Sequence, residues 1–355
     1  MIAAEPLRRV ASPHYGASEE WRSKLGRLYR GDALTVLPKL KAGSFELIFA
    51  DPPFNIGKAY GESVDDERDR ETYLGWCRLW LDEMVRLLAP GGSMFVYNLP
   101  VWAVHIAAHL EHELTFRHWI AVDIKYFFPI RGRLYPAHYA LLYFCKGDRP
   151  ARFTPPGIPI VTCPHCGKEV KDYGGYKDKL DPGGMNLSDV WSDLSPVRHH
   201  RYKRRKKGLN ELPVKMLDRI VDMASERGDR ILDAFAGSGT SLVVAELKGR
   251  QWVGIEIEDV RTIVDRFAAI EEDAAIIADL SKSKNRLFTD DALVLRSRHK
   301  HPIGKFRILD SQRDLVEAPM NGQTPTGQER LPLDDEVKRV PGVVTGWLAV
   351  EDKGK

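Results

Sequence analysis

The chain has 355 residues, of which 43% are hydrophobic and 29% are charged, a composition typical of globular proteins. Its apolar stretches fall short of the roughly 20 residues that a membrane helix requires, and its N-terminus lacks the layout of a secretory signal, so we expect a cytoplasmic protein with no membrane partner. Four cysteines are too few for a disulfide scaffold at this length, and the net charge of +3 conceals a dense basic run at 198–207.

Strands and helices alternate along the first 146 residues. A continuous apolar run predicts a buried strand at 45–50, and apolar residues at helical spacing predict an amphipathic helix at 72–88, which Pro90-Gly91-Gly92 ends. Further strands are predicted at 93–97, 119–126 and 140–144, with a helix at 101–110. This alternation predicts an α/β fold around a mostly parallel, doubly wound sheet.

The alternation stops between about 147 and 208, where Pro, Gly, Lys and Asp dominate, and we interpret this part as an inserted module. It resumes with strands predicted at 230–234 and 252–256 and with helices predicted at 212–227, 240–248 and 259–269. Beyond 272 the pattern is weak, and the polar stretch 312–335 is expected to be mobile. The sequence therefore predicts segments with boundaries at 1–25, 26–146, 147–208, 209–272 and 273–355.

A glycine-rich turn at 233–240, DAFAGSGT, joins a predicted strand to a predicted helix. Gly237 and Gly239 allow the backbone to approach a ligand closely, and the open helix N-terminus attracts negative groups. The turn is not a Walker loop, because no lysine follows the last glycine, and it lacks the third glycine of a dinucleotide fingerprint. Glu256 ends the next strand, where a carboxylate can accept hydrogen bonds from both hydroxyls of a ribose. The turn and Glu256 predict a nucleoside-cofactor site, with a purely structural turn as the alternative.

The tetrapeptide Asp51-Pro52-Pro53-Phe54 directly follows the predicted buried strand at 45–50. Ligands of open α/β sheets bind at the carboxyl ends of the strands, so the tetrapeptide stands where a site is expected. The alternative is a rigid turn capped by aspartate, which explains the prolines and Asp51 but not all four residues together.

These two motifs resemble the signatures of the DNA amino-methyltransferases, a D/N/S-P-P-Y/F/W tetrapeptide and an FxGxG cofactor loop. The tetrapeptide comes first, as in the permuted beta-type members, and the resemblance covers about 26–270, including Gly31-Asp32, Pro90-Gly91-Gly92 and 210–213. It implies a Rossmann-like S-adenosylmethionine-dependent methyltransferase sheet. The segments then become an N-terminal arm (1–25), a catalytic half (26–146), an inserted target-recognition module (147–208), a cofactor-binding half (209–272) and a partly mobile C-terminal extension (273–355).

The resemblance implies direct methylation of an exocyclic base nitrogen. The side chain of Asp51 and the carbonyl of Pro52 would accept hydrogen bonds from the amine, and Phe54 would stack on the extruded base. Aspartate at the first position is typical of adenine-N6 enzymes, whereas cytosine-N4 enzymes, the main alternative, usually carry serine. RNA or protein-glutamine methylation is less expected, since those tetrapeptides more often begin with asparagine in an unpermuted order, and an inactive DNA-binding module is a further alternative.

For the cofactor, S-adenosylmethionine, the resemblance assigns a methionine-side contact to four residues of the turn, a ribose contact to Glu256 and an adenine contact to Asp32. Ser238 and Thr240 either contact the cofactor or cap the helix. The four methionine-side residues are Asp233, Phe235, Gly237 and Gly239.

The inserted module has the content expected of a DNA-contacting element. Its basic residues would contact phosphates of double-stranded DNA, with Trp191 and Tyr202 stacking nearby, although a solvated loop is the alternative. These basic residues are Arg198, Arg201, Lys203, Arg204, Arg205, Lys206 and Lys207. Arg131 and Arg133 are further candidates. We also expect a homodimer and a partner restriction endonuclease.

The sequence CPHCG places Cys163 and Cys166 at the spacing of half a zinc ribbon. A structural zinc ion needs four ligands and the chain has no second CxxC, so His199 and His200 would complete the site. The alternative is a tight turn with two free thiols. Cys77 and Cys145 fall in helical and strand patterns and are predicted to be core residues.

Overall fold

The structure, a computed structural model, describes residues 18–57, 66–124, 131–132, 134–194 and 211–317. The described chain divides into two compact units. Unit 1 takes 18–156 and 187–281, and unit 2 takes 157–186 and 282–317. Within the described ranges, no helix is long and apolar enough to cross a membrane.

Unit 1 is built on one nine-stranded sheet with the order β1-β2-β9-β8-β3-β4-β6-β5-β7. The central strands β2, β9, β8, β3 and β4 are all parallel, while β1 and β6 pair antiparallel with their neighbours. The strands are β1 (Ser18–Arg22), β2 (Gly26–Arg30), β3 (Phe45–Ala50), β4 (Leu88–Asn98), β5 (Thr115–Asp123), β6 (His138–Cys145), β7 (Val190–Trp191), β8 (Arg230–Asp233) and β9 (Gln251–Glu256). The prediction of an α/β fold around a mostly parallel sheet is confirmed.

Helices cover both faces of this sheet, and its central strands are therefore buried on both sides. Successive residues of β3 alternate between two hydrophobic clusters: Leu47 and Phe49 belong to one, Ile48 and Ala50 to the other. The helices of unit 1 are α1 (Ala33–Val36), α2 (Arg70–Leu87), α3 (Pro100–Leu110), α4 (Val214–Ala224), α5 (Thr240–Leu247), α6 (Arg261–Ala268) and α7 (Ile270–Ser281). Cys77 is buried in the second of these clusters, and Cys145 is also buried, as predicted.

Two local predictions for unit 1 were wrong. Pro90-Gly91-Gly92 does not separate α2 from the next strand, since β4 begins at Leu88 directly after the helix and includes all three residues. Trp191, predicted to stack near DNA, is 1% exposed, and its indole NH donates to the carbonyl of Ser188 at 2.9 Å. The guanidinium of Arg219 lies 4.8 Å from its ring. Trp191 is therefore a core residue, because the pairing of β7 with β5 carries it into the sheet.

Unit 2 joins part of the predicted insertion to part of the predicted C-terminal extension. Its core combines Ile160 with residues of the later segment, namely Leu287, Phe288, Ala292, Leu293 and Phe306. Two helices, α8 (Asp290–Arg298) and α9 (Asp314–Glu317), follow the part of the chain where the sequence pattern weakens. The apolar residues here face partners more than 100 positions away, which local periodicity does not report.

Candidate active site

The tetrapeptide and the glycine-rich turn lie at the same edge of the sheet, on adjacent strands. Asp51 follows the last residue of β3, and Asp233 is the last residue of β8. These strands are parallel, with Phe49 beside Asp233 in the register. Glu256 ends β9, the next strand across. Because carboxyl ends of neighbouring parallel strands meet at one edge, the two sequence motifs form one site.

The tetrapeptide is packed against aromatic side chains of unit 1. The carbonyl oxygen of Pro53 accepts a hydrogen bond of 2.8 Å from the hydroxyl of Tyr73. Phe54 is 5% exposed, and its ring centroid lies 6.0 Å from that of Tyr97 and 5.7 Å from that of Tyr139. Burial raises the pKa of both tyrosines, and the nearby carboxylate of Asp51 adds to this effect. Their hydroxyls therefore stay protonated beside Asp51.

The turn after Phe54 is fixed by Asp66, for which no role was predicted from the sequence. Asn55 adopts a left-handed conformation with φ of 55°, and its NH donates to the Asp66 carboxylate at 2.7 Å. The NH of Ile56 donates to the other carboxylate oxygen at 3.1 Å. The side chain of Asn55 also bonds both the NH and the carbonyl of Arg68, at 2.7 and 2.8 Å. Asp66, which is 5% exposed, and Asn55 together define where the turn after Phe54 ends.

The glycine-rich turn contains two residues in the left-handed conformation. Gly237 and Gly239 have backbone φ angles of 52° and 75°, which residues with a Cβ rarely adopt. A Cβ on Gly239 would also lie 2.8 Å from the side chain of Ile263. Asp233 shapes the turn from beneath by accepting hydrogen bonds from the NH of Phe235 and the hydroxyl of Ser241. Burial raises the pKa of Asp233 to about 6.

Glu256 reaches into the same turn as a hydrogen-bond acceptor. Its carboxylate oxygens accept from the NH of Gly237 at 2.7 Å and from the NH of Glu258 at 2.9 Å. Burial raises its pKa to about 7 against these hydrogen bonds, and the negative charge of Asp233 adds a smaller increase. A carboxylate held at the rim of a glycine turn suits the diol of a ribose, so these residues fit a nucleoside cofactor.

An aromatic cluster links the two motifs. The ring centroid of Phe235, in the glycine-rich turn, lies 5.8 Å from that of Trp76 and 5.2 Å from that of Trp80. The ring centroid of Trp76 in turn lies 5.8 Å from that of Tyr73, whose hydroxyl donates a hydrogen bond to the carbonyl of Pro53. Helix α2 thus contacts both halves of the site with one face, although the sequence indicated only that this face is apolar.

Two predicted cofactor residues make other contacts. Asp32 caps α1, since its carboxylate accepts from the NH of Leu34 at 2.9 Å. Thr240 and Ser238 do not cap α5, whose N-cap is Gly239 without a side-chain bond. The hydroxyl of Thr240 accepts a hydrogen bond of 2.7 Å from Arg266. Cofactor contacts by Asp32 and Thr240 stay predictions.

The predicted metal ligands are described only in part. Cys163 and Cys166 share a tight turn of unit 2, in which the NH of Gly167 donates to the carbonyl of Cys163 at 2.8 Å. Backbone NH groups of His165 and Cys166 lower the pKa of the Cys163 thiol. The described ranges contain no cluster of three or more metal-ligating side chains.

Most of the predicted DNA-contacting residues also lie outside the residues that the structure describes. Arg131 is exposed. His199 and His200, with Arg133, Tyr202 and the seven basic residues of 198–207, lie outside the described residues. Their roles in binding metal or DNA stay predictions.

The decisive comparison is with protein-family models, in which the family described as DNA methylase matches residues 45–264. This range is more than half of the chain and contains the tetrapeptide, the glycine-rich turn and Glu256. The chain belongs to the DNA methylase family. The resemblance to the N6/N4 amino-methyltransferases is thereby confirmed.

Individual members of the methylase family are similar along most of this chain. The Type II methyltransferase M.BamHI of Bacillus amyloliquefaciens is 47% identical over 275 residues, which cover 78% of this chain and 64% of that relative, less than two thirds of its length. The Type II methyltransferase M.HpaI of Haemophilus parainfluenzae is 31% identical over 233 residues, covering 65% of this chain and 70% of that relative.

A solved methylase structure shares the fold. The PvuII DNA methyltransferase, described as cytosine-N4-specific, superimposes with a TM-score of 0.54 at 17% identity, covering 75% of this chain and 97% of that protein. At this identity the likeness concerns the fold, and it agrees with the sheet of unit 1.

Proposed function

We propose that this chain transfers a methyl group from S-adenosylmethionine to an exocyclic amine of a base in double-stranded DNA. The observation that carries the proposal is the meeting of the tetrapeptide and the glycine-rich turn on the adjacent parallel strands β3 and β8. One motif suits an amine and the other suits a nucleoside cofactor. Family membership supports the same reaction.

The cofactor would lie along the glycine-rich turn. S-adenosylmethionine supplies an electrophilic methyl group on a sulfonium. The left-handed Gly237 and Gly239 keep the turn free of side chains where the ligand would pass. Glu256 would exchange one of its present backbone partners for the ribose hydroxyls, and Asp233 keeps the turn in shape through the NH of Phe235.

The tetrapeptide would hold the amine and localise its lone pair. An exocyclic amine is a poor nucleophile, because its lone pair is delocalised into the base. Hydrogen bonds from its NH2 to the Asp51 carboxylate and the Pro52 carbonyl favour a pyramidal nitrogen facing the methyl group. The nitrogen–carbon bond would form as the bond between the sulfonium and the methyl group breaks, which releases S-adenosylhomocysteine, and the Asp51 carboxylate would receive the proton that the amine loses.

Phe54 would need room to stack on an extruded base. Its ring is 5% exposed beneath Tyr97 and Tyr139, so face-to-face stacking requires one of these rings to move.

Adenine N6 is the favoured amine, because the tetrapeptide begins with aspartate, as is typical of the adenine enzymes. Cytosine N4 is the second candidate, since the same two acceptors, Asp51 and Pro52, suit either amine. Both belong to the family.

Several partners belong to the proposal. The basic residues of 198–207 would contact DNA phosphates, and binding would weaken steeply with salt. A partner endonuclease accords with the Type II names of the relatives, and a homodimer is also proposed.

Zinc would bind Cys163 and Cys166 together with His199 and His200, and metal analysis of the purified chain tests this.

The catalytic assignment is tested with Asp51→Ala. We expect cofactor and DNA binding to persist while methyl transfer falls by about 10²–10³-fold, the usual cost of removing one transition-state hydrogen bond. Methyl transfer from labelled S-adenosylmethionine into DNA measures the rate, and calorimetry measures cofactor binding. Substantial residual transfer by Asp51→Ala would remove Asp51 from the mechanism.

A further inference from the structure

A buried tyrosine and a buried asparagine stand directly behind the tetrapeptide. Tyr73, in α2, is 2% exposed, and Asn98, the last residue of β4, is 0% exposed. The Tyr73 hydroxyl donates to the carbonyl of Pro53 at 2.8 Å and accepts from Nδ2 of Asn98 at 3.3 Å. These bonds form a short chain from β4 through α2 to the catalytic backbone.

The direction of each hydrogen bond in this chain is fixed. Oδ1 of Asn98 accepts from the NH of Leu99 at 2.7 Å, so the amide nitrogen must face Tyr73. That nitrogen only donates, so the hydroxyl proton of Tyr73 is directed to the carbonyl of Pro53. Burial raises the pKa of Tyr73 well above its usual range, which keeps the hydroxyl protonated.

Anchoring the Pro53 carbonyl also restrains the peptide before it. The proline ring fixes φ of Pro53, so ψ is the one free torsion between the two neighbouring peptide planes, and anchoring one plane narrows the orientations open to the other. The preceding plane carries the carbonyl of Pro52, which under the proposed function accepts a hydrogen bond from the target amine. Small displacements of such an acceptor can cost about 10²-fold in rate.

Resting on the proposed function, we propose that Tyr73 and Asn98 are positioning residues of methyl transfer, which hold the Pro52 carbonyl in place through the anchored carbonyl of Pro53. Neither residue contacts the substrate in this scheme. Their effect should therefore appear in the rate of the chemical step and leave cofactor affinity unchanged.

The test removes one oxygen atom with Tyr73→Phe. We expect the single-turnover rate of methyl transfer to fall by about 10-fold or more, with the dissociation constant for S-adenosylmethionine unchanged within about twofold. Tyr143→Phe is the matched control. Tyr143, in β6, is 0% exposed, stacks on Phe95 with ring centroids 4.4 Å apart, and shares a hydrogen bond of 3.3 Å between its hydroxyl and that of Ser93.

A double-mutant cycle tests whether the two residues act as one chain. Asn98→Ala should slow methyl transfer by itself but add little in the Tyr73→Phe background. If Asn98→Ala does not fold, Tyr73→Phe decides alone. A Tyr73→Phe rate equal to that of the wild type, or matched by Tyr143→Phe at equal loss of stability, would overturn the inference. Failure of the proposed function looks different, since the wild type itself would then methylate no DNA amine.

Discussion

The stability of the folded chain and the binding of a cofactor place opposite demands on the charge of Glu256. Under the proposed function the carboxylate accepts hydrogen bonds from a ribose, but burial in the glycine-rich turn penalises its charge and raises its pKa to about 7. In the unfolded chain its pKa has the ordinary value near 4.5. The folded state without cofactor is therefore more stable when Glu256 is protonated, whereas cofactor binding should be tighter when Glu256 is ionised.

Stability should accordingly decrease with pH in a way that depends on Glu256. A folded-state pKa above the unfolded value gives stability that is complete below about pH 4.5 and is lost as pH rises through about 7. Between pH 5 and pH 8, we expect the wild type to lose at most about 3 kcal/mol of unfolding free energy relative to Glu256→Gln. Urea unfolding of both proteins measures this difference, and a difference that does not vary with pH would contradict the pKa shift.

Cofactor affinity should follow the opposite trend. Ribose hydroxyls donate best to an ionised carboxylate, so S-adenosylmethionine should bind the wild type more weakly as pH falls from 8 to 6. Glu256→Gln, which has no proton to gain, should bind weakly throughout and show a flatter profile. Calorimetric titration across this range measures both proteins. A Glu256→Gln profile as steep as that of the wild type would assign the dependence to another group, Asp233 being the next candidate.

At the scale of elements, the turn that follows β3 is fixed by hydrogen bonds to residues further along the chain. Asp66 accepts the NH groups of Asn55 and Ile56, and the side chain of Asn55 bonds the backbone of Arg68. The tetrapeptide is thus held between its own strand and a downstream segment. The prolines alone would not determine where this turn ends.

Removing the Asp66 carboxylate should loosen the turn after Phe54. Asp66→Ala leaves two NH groups without their present acceptor, and we expect a loss of about 1–3 kcal/mol in unfolding free energy together with slower methyl transfer. Asp66→Asn, which keeps one acceptor oxygen, should be intermediate in both respects. Denaturant unfolding and single-turnover assays provide the two readouts. Identical behaviour of Asp66→Ala and the wild type would show that the turn needs no such support.

The sequence was informative wherever the signal was local. The strand before Asp51, the glycine turn and the helical face of α2 each follow from residue types within a few positions, and the structure contains all three. Hydrogen bonds between distant positions left no such signal. The contacts of Asp66 with Asn55, and of Arg266 with Thr240, depend on the tertiary fold, and so does the burial of Trp191.

At the scale of the whole molecule, the insertion and the C-terminal extension are not independent additions. Segments 157–186 and 282–317 form one unit, in which Arg296 is buried against Glu169 and the carbonyl of Pro302. The apolar core of that unit draws on both segments. The sequence predicted them separately, because the contacts that join them span more than 100 positions.

Truncation tests this organisation. A chain ending at Ser281 lacks Leu287, Phe288 and Phe306, so Ile160 loses its core partners and 157–186 should become sensitive to proteolysis. A chain ending at Glu317 keeps every described core residue of unit 2 and serves as the control. Limited proteolysis with mass mapping distinguishes the two. Equal protection of 157–186 in both chains would mean that this segment folds without the later one.

The claim that unites these scales is methylation of a base amine, and nucleoside analysis of modified DNA tests it most directly. Unmethylated duplex DNA is incubated with the chain and S-adenosylmethionine, digested to nucleosides and examined by mass spectrometry, with Asp51→Ala as the control. We predict a methylated amine, with N6-methyladenine as the favoured product and N4-methylcytosine as the second candidate, which the control should form about 10²–10³-fold more slowly. Methylation at cytosine C5, or DNA that stays unmodified, would contradict the account.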